Sequence, residues 1–210
     1  MRSSRGRSAS CGNACRRPRG STASGGRHGS SATSAPASIS SSSRASRPGK
    51  GPTLGSRVVE SDRAVVERQL GRPPRAFRRV AVRCPFGRPA VTEQAAYDDA
   101  GEPFPTTFWL TCPHLVAAVS RLEAAGGVER WSRAAATDSG LGASLDRANE
   151  EQRRLRPELD LGVGGARPGA GSLKCLHAHV AFALARPGYE LGDRIVAELE
   201  PRWPSVCCTA

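Results

Sequence analysis

The stretch Phe104-Pro105-Thr106-Thr107-Phe108-Trp109-Leu110-Thr111-Cys112-Pro113-His114-Leu115 changes its periodicity part-way along, and that change decides the fold class. Up to Thr111 it is aromatic and Thr-rich, and Thr106, Phe108, Leu110 and Cys112 share one face, as a strand requires. Thr111 or Cys112 can then cap a helix with Pro113 in its first turn, where the missing N–H of proline costs nothing. Leu115, Val119 and Leu122 form the apolar stripe of that helix, and Gly126-Gly127 ends it.

Upstream the pattern is strand-like. Residues 79–84 alternate, with Val80, Val82 and Cys84 on one side and Arg79 and Arg83 on the other. Pro85 to Pro89 makes a turn, Ala90 to Ala96 a second strand, and Tyr97 to Gly101 the connection to the third. Before them, Ser61-Asp62 can cap a helix through Leu70, stopped by Gly71 and Pro73-Pro74. Downstream the chain turns helical. A short helix over 128–136 is followed by a longer one in which Leu141, Leu145, Ala148, Gln152 and Leu155 recur every three or four residues. A Gly-packed loop over 161–171 leads to a helix over 173–185 and a last helix near 193–199. Three antiparallel strands in a meander with several helices make an α+β domain over residues 57–200.

Residues 1–56 are Ser, Arg, Gly, Ala and Pro with almost no large apolar side chain, so they read as a disordered tail. Ten of the 31 Lys and Arg fall there with no acidic residue, and the other 21 face the chain's 19 Asp and Glu. The tail therefore holds +10 of the net charge of +12, and the domain itself has no nucleic-acid signature. A basic tail could bind polyanions. An organellar transit peptide and a translation start near Val58 or Val59 are the other readings of the same stretch. Cys11 and Cys15 have no ligand partners nearby and read as incidental. No run approaches the roughly 20 apolar residues of a membrane span, and no signal-peptide core is present. Seven Cys, an odd number, fit reduced thiols in a cytoplasmic protein. Residues 201–210, with Cys207 and Cys208, read as a frayed end open to oxidation.

Three constellations could carry chemistry. On a helix over 173–185, Cys175 and His179 stand one turn apart, and Cys84 and Cys112 each end a strand. Together Cys84, Cys112, Cys175 and His179 would make a thiolate–imidazole centre suited to zinc, structural or catalytic. The alternative is that the three Cys are small buried apolar residues. Cys112 at a helix start is also a candidate nucleophile, with His114 or His177 as base. Gly164, Gly165, Arg167, Ser172 and Lys174 could cradle a phosphate or polyphosphate, although no Walker-type motif is present. A flexible connection is the plainer reading of that loop.

Several blocks in order resemble a known family: residues 68–75, Arg83-Cys84-Pro85, residues 103–106 with Leu110-Thr111-Cys112-Pro113, Arg121-Leu122-Glu123, and Lys174-Cys175-Leu176-His177-Ala178-His179. They resemble the bacterial domain-of-unknown-function family 501 over about residues 61–199. The resemblance implies an actinobacterial-type cytosolic protein and brings no established activity. Members are often encoded beside a septum-formation protein and an exopolyphosphatase, which implies a phosphate-linked enzyme or sensor, or a non-catalytic adaptor linked to cell division. Cys207 and Cys208 fall outside the shared pattern.

Overall fold

Helix α1, Asp62–Leu70, starts where Ser61 Oγ accepts the Ala64 N–H at 3.3 Å and stops at Gly71, whose φ of 67° only glycine adopts freely. The computed structural model describes residues 61–167 and 171–208, so the basic tail with Cys11 and Cys15 lies outside the described residues. Strands β1 (Phe77–Arg83), β2 (Pro89–Gln94) and β3 (Phe108–Leu110) form one antiparallel sheet in the order β1-β2-β3. The β1–β2 turn closes through Gly87 N–H to Cys84 O and Cys84 N–H to Arg88 O, both 2.9 Å. Between β2 and β3 the Asp98 carboxylate accepts the amides of Ala100 at 3.0 Å and Glu102 at 2.9 Å and pairs with Arg75, a side chain standing in for a turn.

Two strand expectations need correction. Val80 pairs with Thr92 and Val82 with the next residue, Val91, so the register shifts between them. The extra residue reverses the alternation, and it is Ala81 and Val82 that pack against the core. The third strand is also shorter than residues 104–111. Pro103 and Pro105 bring no N–H to a ladder, and only Phe108–Leu110 keep regular pairing.

The helical half is α2 (Pro113–Ala124), α3 (Gly127–Thr137), α4 (Ser139–Leu155), α5 (Leu176–Ala185) and α6 (Glu190–Ala197). Asp138 caps α4 by accepting the Gly140 and Leu141 amides at 2.9 and 3.1 Å. Leu141, Leu145, Ala148 and Gln152 of its stripe are buried, but Leu155 is 43% exposed and Arg156 takes the inward position. The α5 helix, with seven of its ten residues buried, packs against β3, α2 and α6. Phe182 at its centre meets Phe108 of β3 edge-on at 5.6 Å and Tyr189 ahead of α6 at 5.8 Å. Among the described residues no helix is long and apolar enough to cross a membrane.

Candidate functional site

The start of α5 is three residues later than the sequence pattern suggests, and this shift builds the site. Cys175 is extended (φ −161°, ψ 133°) and makes no side-chain cap, so the first helical amide, that of Leu176, needs an acceptor from elsewhere. Glu123, at the end of α2, supplies it: Oε1 accepts the Leu176 N–H at 2.6 Å, a carboxylate at the positive end of a helix. Val116, Ser120 and Glu123 share one face of α2 at helical spacing, and His177 lies along that face. Its Nδ1 is 3.2 Å from Glu123 Oε1, while Nε2 is 3.3 Å from both the Val116 carbonyl and Ser120 Oγ. The hydrogen bond with Cys175, helped by the charge of Glu123 and opposed by partial burial, raises the His177 pKa above its ordinary value.

Glu123, Cys175 and His177 thus bring one carboxylate oxygen, one sulfur and one ring nitrogen within 4.8 Å of one another, all half-buried, and such a group could hold a metal ion. Cys175 and His177 also stand in the wall of a cleft of about 570 Å³, within the size range of small-molecule sites. Its other walls come from the end of α1, β3 and the first turns of α2, with Phe108 and Trp109 as aromatic surface. Among the described residues no Lys, Arg, Asp or Glu lines it. Two lining residues hold buried oxygens without a hydrogen-bond partner: Thr111 Oγ1, and Gln69 Oε1, whose Nε2 donates to Pro89 O at 2.9 Å.

Residues 80–160 match the family profile described as "Protein of unknown function (DUF501)". Over these residues the chain is similar to DUF501. The matched residues include Cys84, Cys112 and Glu123, whereas Cys175 and His177 lie beyond them. No curated protein and no solved structure matches the chain.

Of the four residues expected to meet, no three share a metal-sized centre among the described residues. Cys84 is buried at the β1–β2 turn, as the apolar reading of cysteine has it. Cys112, 1% exposed, has its sulfur 3.4 Å from Cys208 Sγ. That hydrogen bond, with burial, pushes the Cys112 pKa far up, so it is held as a thiol rather than a free thiolate. His179 points the other way from Cys175, because Cys175 precedes the helix rather than riding on it. It is 2% exposed, with Nδ1 2.7 Å from Tyr189 Oη and Nε2 without a partner. The anion cradle is committed elsewhere: Lys174 Nζ donates to Gly165 O at 2.7 Å, the Gly162 amide to Ala166 O at 2.7 Å and the Gly165 amide to Gly162 O at 3.0 Å. Gly164 and Gly165 have φ of 68° and 75° to make that tight turn, and Arg167 and Ser172 are exposed at its rim. Glu123 is the ligand sequence reasoning missed. It stands in the Arg121-Leu122-Glu123 block of the resemblance, but a Glu at a helix end carries no chemical signature by itself.

His179 yields a pH dependence. Burial depresses its pKa to about 4, while in the unfolded chain it titrates near 6.5. Between those values the unfolded state binds the extra proton, so stability should be full above about pH 6.5 and decline as pH falls to 4, by about 3 kcal/mol. Urea midpoints of wild type and His179→Gln across that range check it, and equal slopes for the two would refute it.

Proposed function

We propose that the cleft is a ligand site centred on a zinc-class cation held by Glu123, Cys175 and His177, with a fourth position open to the cleft. Three donors of different chemistry converge there, and that observation carries the reading. The second coordination sphere supports it. An imidazole ligating through Nδ1 leaves its Nε2–H to donate to the Val116 carbonyl, the backbone anchor usual for metal-bound histidine. Three protein ligands with one vacant position characterise catalytic rather than structural zinc, and the chemistry such a cation supplies is polarisation of a substrate carbonyl or activation of water.

The cleft also describes its ligand. Apart from the cation itself, the described wall offers no Lys or Arg to pair with a phosphate, so the phosphate-linked alternative draws no support from its side chains. A molecule with an apolar or aromatic body fits Phe108 and Trp109, which form the cleft's aromatic surface.

Untagged full-length protein should purify with, or take up, one zinc per chain by elemental analysis. Cys175→Ala should weaken zinc binding at least 100-fold, while Cys84→Ser leaves it unchanged. Absence of zinc uptake, with Cys175 alkylated equally fast with and without the ion, would end this reading.

A further inference from the structure

We propose that Cys112 and Cys208 form a redox-active dithiol, which closes to a disulfide and fastens the C-terminal segment to the start of α2. The two residues are 96 positions apart in sequence, yet their sulfurs stand at 3.4 Å. A disulfide needs about 2.05 Å, so the remaining displacement is about 1.4 Å, within the reach of side-chain rotation. Both are free thiols.

The segment carrying Cys208 is not the frayed end its composition suggests. Pro201 O lies 2.8 Å from His114 Nε2, Trp203 and Cys208 pack against the core, and Cys207 is 3% exposed. Cys207 is itself disulfide-bonded, a departure from the expectation of reduced thiols throughout. These attachments place Cys208 over Cys112 instead of leaving the encounter to a wandering tail.

The two sulfurs differ in a way that assigns their roles. Cys112 is sheltered and keeps its proton. Cys208 is half-buried and reachable, and the hydrogen bond from Cys112 lowers its pKa to about 6, with the His114 amide and ring adding to the effect. At neutral pH the Cys208 thiolate is the reactive group. A peroxide is the oxidant: the Cys208 sulfur takes one oxygen from hydrogen peroxide, giving a sulfenic acid and hydroxide. The Cys112 thiol then displaces the sulfenic oxygen, forming the S–S bond, and its proton leaves with that oxygen as water. Two thiols are oxidised and one peroxide is reduced to water.

Thr111 and Pro113, on either side of Cys112, line the cleft, so the bond would tie the cleft wall covalently to the C-terminal segment. None of this involves Glu123, Cys175 or His177, and it stands whether or not they bind zinc.

The test uses the full chain, reduced under native conditions, desalted and treated with one equivalent of hydrogen peroxide. Chymotryptic mapping with fragment-ion sequencing should find Cys112 joined to Cys208, with a mass loss of two hydrogens. The oxidised form should melt at least about 5 °C higher, because the bond closes a long loop. Cys208→Ser should abolish the bond, and Cys112→Ser should leave a Cys208 sulfenic acid that dimedone traps. If Cys112→Ser does not fold, the mapping and the Cys208→Ser comparison suffice. A peroxide-formed bond joining Cys112 or Cys208 to any other cysteine, or Cys112 and Cys208 both still alkylated after treatment, would overturn the proposal.

Discussion

Arg156→Ala should lower the stability of the folded domain by about 3 kcal/mol. Arg156 closes α4, is only 3% exposed, and donates from Nη1 to Phe104 O and from Nη2 to Gln94 O at 2.5 Å. Those carbonyls flank the irregular stretch between β2 and β3, where prolines leave the backbone short of donors. Removing the guanidinium strands one buried acceptor and one part-buried one, worth about 1–3 kcal/mol each when unpaired and shut off from water, and loses the packing of its stem. Relief from burying a cation offsets part of this; burial already holds the Arg156 pKa below its ordinary value. Arg156→Lys should recover little, since an ammonium cannot present the planar fork that spans both carbonyls. Urea unfolding measures the difference, and a loss under about 0.5 kcal/mol would mean that the carbonyls find other partners.

Gly192→Ala should cost a comparable amount, about 3 kcal/mol, for an opposite reason. A Cβ there would stand 2.3 Å from Tyr189 Cδ1 and 2.7 Å from the Ala183 Cβ of α5. Neither neighbour can yield cheaply. The Tyr189 ring is fixed by His179 and by its edge-on contact with Phe182, and Ala183 is part of the helix it packs on. Overpacking of this kind forces helices apart, and with both obstacles rigid the loss falls at the upper end of its usual range. Thermal unfolding of the variant checks it, and an unchanged melting temperature would show that α6 can slide on α5.

The fold was legible where local chemistry and tertiary demand agree. Ser61 and Gly71 bracket α1 as caps should, the three strands follow one another as a meander, and the α4 stripe lies inward through Gln152. It was illegible where a distant residue decides. The β1 bulge arises from pairing with β2, not from anything in Val80-Ala81-Val82. The first turn of α5 is set by Glu123, 53 residues away, and that contact moves Cys175 off the helix and away from His179. Cysteine and histidine carry the chemistry in both readings, but the side chain that comes together with Cys175 is His177, with Glu123, and not His179. Cys112 found a sulfur partner in a segment whose composition suggested no order at all.

Glu123 belongs to two structures at once, as the acceptor that begins α5 and as one arm of the Glu123–Cys175–His177 group. Were the group to hold an ion, occupancy and folding would be linked quantities in this domain. Whatever settles among those three side chains draws on the same carboxylate that anchors the most buried helix, and by mass action it shifts the population toward chains in which that helix is seated. An occupant of this centre would act as part of the architecture as well as its cargo.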